Sequence, residues 1–342
     1  MSIGSPKIIL PAEWDNQIFI QLTWPHIDTD WAEMLDEVNE CFVQIAKAVV
    51  QYEKLLVVCP DAAIVKTLLA GIDVSKITFV ELSTNDTWSR DHGGITVFED
   101  DKTVIYDFTF NGWGMKFAAN HDNGITRKLY EEGVFDKQTD YRNLLDFVLE
   151  GGSIESDGQG TLLTTAECLL SDNRNNKTKD EVDAILKDLF GLKQILWLHH
   201  GYLAGDDTDS HVDTLARLCS PHSIAYVQCT DQNDEHYTEL RKMEEELQAF
   251  RTLNGDSYVL IPLPMADTVF DGDDRLPATY ANFLIINGAV LLPSYDSPKD
   301  EIAKQQLQKA FPDREIILID CRALIKQHGS LHCVTMQYST LL

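Results

Sequence analysis

Apolar side chains recur at Trp31, Met34, Leu35, Val38, Phe42, Ile45 and Val49. That is the 3.6-residue period of an amphipathic helix, and Asp28 or Asp30 stands where a cap would start it. The period then changes. Lys54-Leu-Leu-Val-Val-Cys59 is a short unbroken apolar run, which reads as a buried strand. A second helix is expected over 61–71, stopped by Gly71, with another strand over 77–82. Upstream, 8–24 reads as a strand-like segment interrupted by Pro11-Ala-Glu-Trp14.

The same plan then repeats. A strand over 161–170 precedes a helix over 180–190 that Gly191 closes, and 194–198 is the next strand. A strand over 223–229, a charged helix over 233–251 and a strand over 257–262 follow. Residues 281–293 form two strands about Asn287-Gly288, a dipeptide suited to a tight hairpin. Ser297 caps a last helix with Pro298 at its first position, and 315–321 is a strand. About five β–α–β units of similar size therefore succeed one another, as in a repeat architecture. No Pro/Ser-rich linker divides them. Even the most polar piece, Asp172-Asn-Arg-Asn-Asn-Lys-Thr-Lys-Asp180, is short enough to be a loop into a helix, so 1–342 is read as one α/β domain.

Charge narrows the partners. The chain carries 55 acidic against 28 basic residues, a net −27, which repels nucleic acid and anionic membrane surfaces but suits a small cation. An apolar content of 44% excludes disorder. No leader or membrane-length apolar run is visible, and the seven scattered cysteines lack metal-type spacing. These features predict a reduced cytoplasmic protein without disulfides or structural zinc.

Four stretches carry candidate chemistry. Cys333, in Gly329-Ser-Leu-His-Cys333, follows a turn and opens an apolar run where a strand should begin. A thiol of ordinary pKa is mostly protonated at neutral pH, so a nucleophile needs a cationic neighbour or a charged substrate. In an extended stretch His332 would point away from Cys333, so the acid/base must come from elsewhere. His211 is the stronger candidate: alternation would put Asp213 on the same face, although His211 could instead cap a helix into 214–218. Asp91 and Glu150 each lie near a Gly-Gly pair, and Trp88 offers a flat face beside Asp91. Converging carboxylates with an aromatic face suit a planar cation. Asp91 pairing with Arg90 and Glu150 capping a turn are the plainer alternatives. A metal site at Asp206, Asp207, Asp209, His211 and Asp213 is disfavoured, because their spacing lacks the glycine and terminal Glu of a calcium loop.

A family resemblance rests on Pro11-Ala-Glu-Trp14, Thr23-Trp-Pro25, Trp88-Ser-Arg-Asp91, Phe110-Asn-Gly-Trp-Gly-Met-Lys116 and Glu150-Gly-Gly152. It continues through Gly205-Asp-Asp-Thr-Asp-Ser-His-Val-Asp213, Tyr280-Ala-Asn-Phe283 and Leu331-His-Cys-Val-Thr335, in order along essentially the whole chain. On these motifs the chain resembles the agmatine deiminase and Porphyromonas-type peptidyl-arginine deiminase family of the guanidino-group-modifying (pentein) superfamily. The resemblance implies a five-bladed α/β propeller of ββαβ repeats. It also implies hydrolysis of a guanidinium through a cysteine-bound thiouronium, with no metal or cofactor. Carried over, Cys333 is the nucleophile, His211 the acid and then base, and Asp91 and Glu150 hold the guanidinium nitrogens. Asp213 supports His211, while Trp88, Asp207, Trp113 and Gly329 line the substrate pocket. Agmatine is the expected substrate, since the motifs are acidic and few cations stand near them. The run His328-Gly-Ser-Leu331 departs from the glycine-rich run common in agmatine enzymes, which bears on substrate choice. Peptidyl-arginine or free arginine, an amidino-transfer reaction, and a non-catalytic binding propeller are the alternatives. Exposed propeller faces often pair, so a homodimer is expected.

Overall fold

The structure, a computed structural model, describes residues 7–341. Among them, five mixed sheets repeat one plan: an antiparallel hairpin whose second strand runs parallel to a third strand beyond a helix. Ile95–Glu99 and Lys102–Thr109 form such a hairpin, and Asp140–Val148 pairs in parallel after the helix Ile125–Glu131. Ile154–Ser156 and Thr161–Thr165 are followed by the helix Lys179–Phe190 and the strand Gln194–Leu198. Ala216–Ser220 and Ser223–Gln228 lead to Tyr237–Ala249 and Val259–Pro264. Leu284–Ile286 and Ala289–Ser294 lead to Lys299–Ala310 and Glu315–Asp320.

The fifth sheet joins the two ends of the chain. Thr335–Ser339 is antiparallel to Gln17–Thr23, which is parallel to Lys54–Cys59 across the helix Leu35–Tyr52. Ile77–Glu81 adds a fourth, parallel strand. Closing a repeat with strands from opposite ends ties the first unit to the last. It also leaves Cys333, two residues before Thr335, anchored by a sheet rather than a tail.

Most elements follow from their own residues. Leu35–Tyr52 buries Val38, Phe42, Ile45 and Val49 completely, as the periodicity requires. Thr178 and Glu181 make a reciprocal capping box, and Gly191 ends that helix at φ 64°, a conformation glycine reaches without a Cβ penalty. Two expectations fail locally. The turn Ala32–Met34 starts the first helix with no side-chain cap, so neither Asp28 nor Asp30 caps it. The strand expected over 161–170 stops at Thr165, and Ala166–Leu169 coils into one helical turn that buries Cys168.

One consequence of the repeat positions the site. The turn just before the first hairpin strand recurs in every unit: Ser89–His92, Gly151–Ser153, Val212–Thr214, the turn at 280–283, and the turn at 331–334. These turns are bonded to one another. Arg90 N donates to Cys333 O (3.1 Å), Gly152 N to Asp91 Oδ1 (3.1 Å), and His332 N to Asn282 O (3.1 Å). Asn282 Nδ2 donates to Asp213 O at 3.4 Å. Residues far apart in sequence thus face one another because each occupies the same station in its unit.

Candidate active site

Cys333 lies in the last of these turns, 3% exposed, with its backbone N–H and thiol both directed at Asn282 Oδ1 (3.3 and 3.4 Å). Its thiol faces a cavity of about 170 Å³ lined also by Asp30, Asp86, Trp88, Asp91, Trp113, Asp207 and Gly329. Drug-sized sites run to about 300–1,000 Å³, so this one suits a small molecule. It holds four carboxylates, and among the described residues no Lys or Arg lines it.

Asp91 lines the cavity. Its Oδ2 accepts from Trp113 Nε1 (2.9 Å) and its Oδ1 from Gly152 N (3.1 Å), not from the neighbouring Arg90. Trp113 reaches it from a loop held at φ 54°, in the left-handed region, which costs a non-glycine residue about 1–2 kcal/mol. Asn111 Oδ1 stabilises that loop by accepting from Gly114 N at 2.8 Å. Gly329 is required by Trp88, whose ring lies where a Cβ on Gly329 would sit.

Behind Asp91 lie Glu150, His211 and Asp213, all fully buried. His211 Nδ1 is 3.6 Å from Asp91 Oδ1, and neither ring nitrogen has a hydrogen-bond partner among the described residues. Glu150 Oε1 forms an ion pair with Arg174 Nε at 2.7 Å, while its Oε2 has no hydrogen-bond partner among the described residues. Buried polar groups almost always find partners, so their convergence without any marks a place for a polar ligand.

Asp213 differs from expectation. Its Oδ2 bonds to His332 Nδ1 (2.7 Å), not to His211, and His332 Nε2 meets Glu13 Oε2 at 2.7 Å. Arg217 lies at the heart of this second cluster: it donates to Glu155 and to the Phe283 carbonyl, and to Glu13 Oε2 at 2.8 Å. His332 does turn away from Cys333, although the stretch is a turn and not a strand. Nor do the five acidic-loop groups gather as a metal site. Asp206 closes its own loop on Thr208 and Ser210, and Asp209 pairs with Lys116 and Arg174 (both 2.9 Å).

Protonation follows from burial. Burial, then the charges of Asp213 and Glu150, push the Asp91 carboxyl well above its ordinary value. Burial also pulls His211 down to about 3, against the opposing charge of Asp213. Burial followed by the charges of Asp213 and Asp91 raises the Cys333 thiol far above an ordinary cysteine. Burial raises Asp213 too, but the hydrogen bond and charge of His332 more than offset it, leaving that carboxyl below its usual range. These shifts leave a neutral thiol and a neutral imidazole among carboxylates. A bound cation would reverse every one of these shifts that carboxylate charge causes.

Comparison with known proteins gives the family. Residues 9–339 match the family described as Porphyromonas-type peptidyl-arginine deiminase. The chain belongs to that family. An agmatine deiminase of Pseudomonas aeruginosa (strain LESB58) is 33% identical, across 96% of this chain and 94% of its own. A solved cysteine-to-serine variant of a C. jejuni agmatine deiminase with substrate bound is 38% identical, with a TM-score of 0.93 over 100% of this chain and 99% of its own. A Porphyromonas gingivalis structure, described only provisionally as an arginine deiminase, is 56% identical with a TM-score of 0.94 over 97% and 98%. The fold is thus the mixed α/β pentein fold of this family.

Of the nine residues singled out from sequence, six line the cavity: Cys333, Asp91, Trp88, Trp113, Asp207 and Gly329. His211 and Asp213 stand beside Asp91 and Gly152, and Glu150 stands beside His211. Arg174 was missed, because a polar run that reads as solvated loop gives no sign that its arginine side chain is 0% exposed. Asp86 and Asp30 were missed as pocket acids. Burial pushes Asp86 up to about 6 while Trp31 Nε1 donates to it at 3.0 Å. Asn282 was legible only as part of a motif.

Gly152 gives a direct test of packing at the site. A Cβ there would lie 2.7 Å from His211 Nδ1, 2.8 Å from Asp91 Oδ1 and 3.1 Å from Asp213 Oδ2. Gly152→Ala is expected to fold yet lose about 10²-fold in kcat/KM, the usual cost of displacing reacting groups by an ångström. Thermal melting beside steady-state rates checks it; unchanged kinetics would refute the crowding.

Proposed function

We propose that this chain is one catalytic domain, a five-bladed propeller of ββαβ units, that deiminates agmatine to N-carbamoylputrescine and ammonia. The observation that carries the substrate is the cavity lining: Asp30, Asp86 and Asp207 join Asp91, and among the described residues no Lys or Arg lines the cavity. Agmatine has a guanidinium at one end, an ammonium at the other and no carboxylate. Arginine would bring a carboxylate against these acids, and like-charge juxtaposition costs several kcal/mol. The agmatine deiminases among the relatives support the same choice. The five bonded turns and the terminal sheet closure support the propeller.

The geometry performs the reaction as follows. Asp91 and Glu150 take the guanidinium nitrogens by charge-assisted hydrogen bonds, and the cation lowers the Cys333 thiol toward ionisation. The thiol proton passes to neutral His211 as Sγ bonds to the guanidinium carbon. His211 gives that proton to the departing nitrogen, the C–N bond breaks, and ammonia leaves a thiouronium on Cys333. Water then adds and gives one proton to His211; the C–S bond breaks, the sulfur takes that proton back from His211 to restore the thiol, and the carbamoyl amine is released as the proton on its new oxygen passes to solvent. Asp213 acts on His211 by its charge alone, since its hydrogen bond goes to His332.

The test is ammonia and product analysis with agmatine, free arginine and an arginine-ended peptide. Agmatine should exceed both others by at least about 100-fold in kcat/KM, as several kcal/mol of repulsion requires. Comparable turnover of arginine would overturn the substrate. An amidino group transferred to an added amine, with no carbamoyl product, would overturn hydrolysis.

A further inference from the structure

Cys168 plays no part in the chemistry above, yet it reaches the site. It sits in the helical turn Ala166–Leu169, directly after Thr161–Thr165, and is 0% exposed. Its Sγ, a carboxylate oxygen of Glu150 and a ring nitrogen of His211 all lie within 4.8 Å of one another. Sulfur, imidazole and carboxylate are the donor types that zinc and similar soft divalent ions bind in tetrahedral sites. A second observation points the same way. Both His211 nitrogens and Glu150 Oε2 are buried and without hydrogen-bond partners among the described residues, while Glu150 Oε1 is ion-paired with Arg174. Arg174 Nε lies against Glu150 Oε1, and a carboxylate offers a second oxygen. The other cluster of this kind, Glu13, Glu155 and His332, has Arg217 bonded among its members and no such vacancy of partners.

We infer that Glu150, Cys168 and His211 form an inhibitory site for a soft divalent cation such as Zn²⁺. The ion binds as the Cys168 thiol gives its proton to solvent, and water fills the remaining position. Bound there, it occupies the guanidinium anchor and the proton-transferring imidazole together, so it competes with substrate. The inhibitory part rests on the roles proposed for Glu150 and His211; the binding part does not.

The experiment has two arms. Co²⁺ is titrated into the Cys333→Ala protein, which lacks the nucleophile's thiol, and thiolate-to-cobalt charge transfer is followed by absorption. One equivalent should give the band, and the Cys333→Ala/Cys168→Ala protein should lack it. No band, or one that survives the second substitution, overturns the site. In the second arm, Zn²⁺ inhibition is measured on wild-type and Cys168→Ala enzyme, with Cys168→Ser used if the alanine variant does not fold. Basal turnover should be retained, and half-inhibition should need at least about tenfold more Zn²⁺, since even outer-shell losses cost 10–100-fold in affinity. Equal inhibition of both proteins would place the ion on Cys333 and overturn the proposal. If no deiminase activity exists, the cobalt arm still decides whether the ion binds here.

Discussion

Cys333→Ala will lower ammonia release from agmatine by roughly 10⁴-fold or more, the scale of loss when a covalent nucleophile is removed. The substitution should leave the fold intact. Cys333 sits in a turn already fixed by His332 N donating to Asn282 Oδ1 at 2.8 Å and by Arg90 N donating to the Cys333 carbonyl. Substrate binding should survive, because Asp91 and Glu150 are untouched, so the loss falls on kcat. The same thiol makes a pH prediction. Burial and the charges of Asp213 and Asp91 raise its pKa, and the thiolate is the reactive form. Iodoacetamide should therefore modify Cys333 slowly at neutral pH and faster as the pH climbs. Rapid, pH-independent labelling would contradict the protonated resting state. Turnover that persists in Cys333→Ala would move the nucleophile elsewhere, with Cys168 beside His211 the first to test.

Arg217→Met will cost about 3–5 kcal/mol of stability, the penalty for stripping one partner from a buried ion pair. Arg217 is fully buried and bonds to two carboxylates, Glu155 and Glu13, as well as the carbonyls of Ala281 and Phe283. Methionine fills much of the volume but leaves two adjacent buried acids without their cation. Those bonds link the turn at 280–283, the segment after Gly152 and the motif containing Glu13, so the turns that carry the site should loosen with it. Arg217→Lys should recover only part of the loss, because a point charge cannot bond in several directions as the guanidinium fork does. Thermal and denaturant unfolding read the effect. A midpoint unchanged in Arg217→Met would show that the cluster is dispensable.

These two predictions concern residues that differ in how readable they were. Cys333 stands in a motif, so its chemistry was legible from its neighbours and from family resemblance. Arg217 had only its residue type. Nothing local tells that an arginine in a strand will meet Glu13, more than 200 positions away, through an ion pair at 2.8 Å. Arg174 was hidden more thoroughly, since a run of Asp, Asn and Lys has the composition of a solvated loop.

Local physics, acting through the sequence, determined the elements of this protein. The period of apolar residues, the Thr178–Glu181 capping box, Gly191 and Asn287-Gly288 each dictate a helix, a stop or a turn within a few residues. The motif residues likewise determined which side chains carry the chemistry. The tertiary structure decided the partnerships. Asp213 hydrogen-bonds His332 and reaches His211 by its charge, Asp30 lines a cavity rather than capping a helix, and Cys168 comes to rest beside Glu150. The reason is that helix caps and turns form between residues a few positions apart, where spacing is a sufficient guide. Buried charges take whichever counter-charge the packing of the units brings within reach, and that depends on every unit at once.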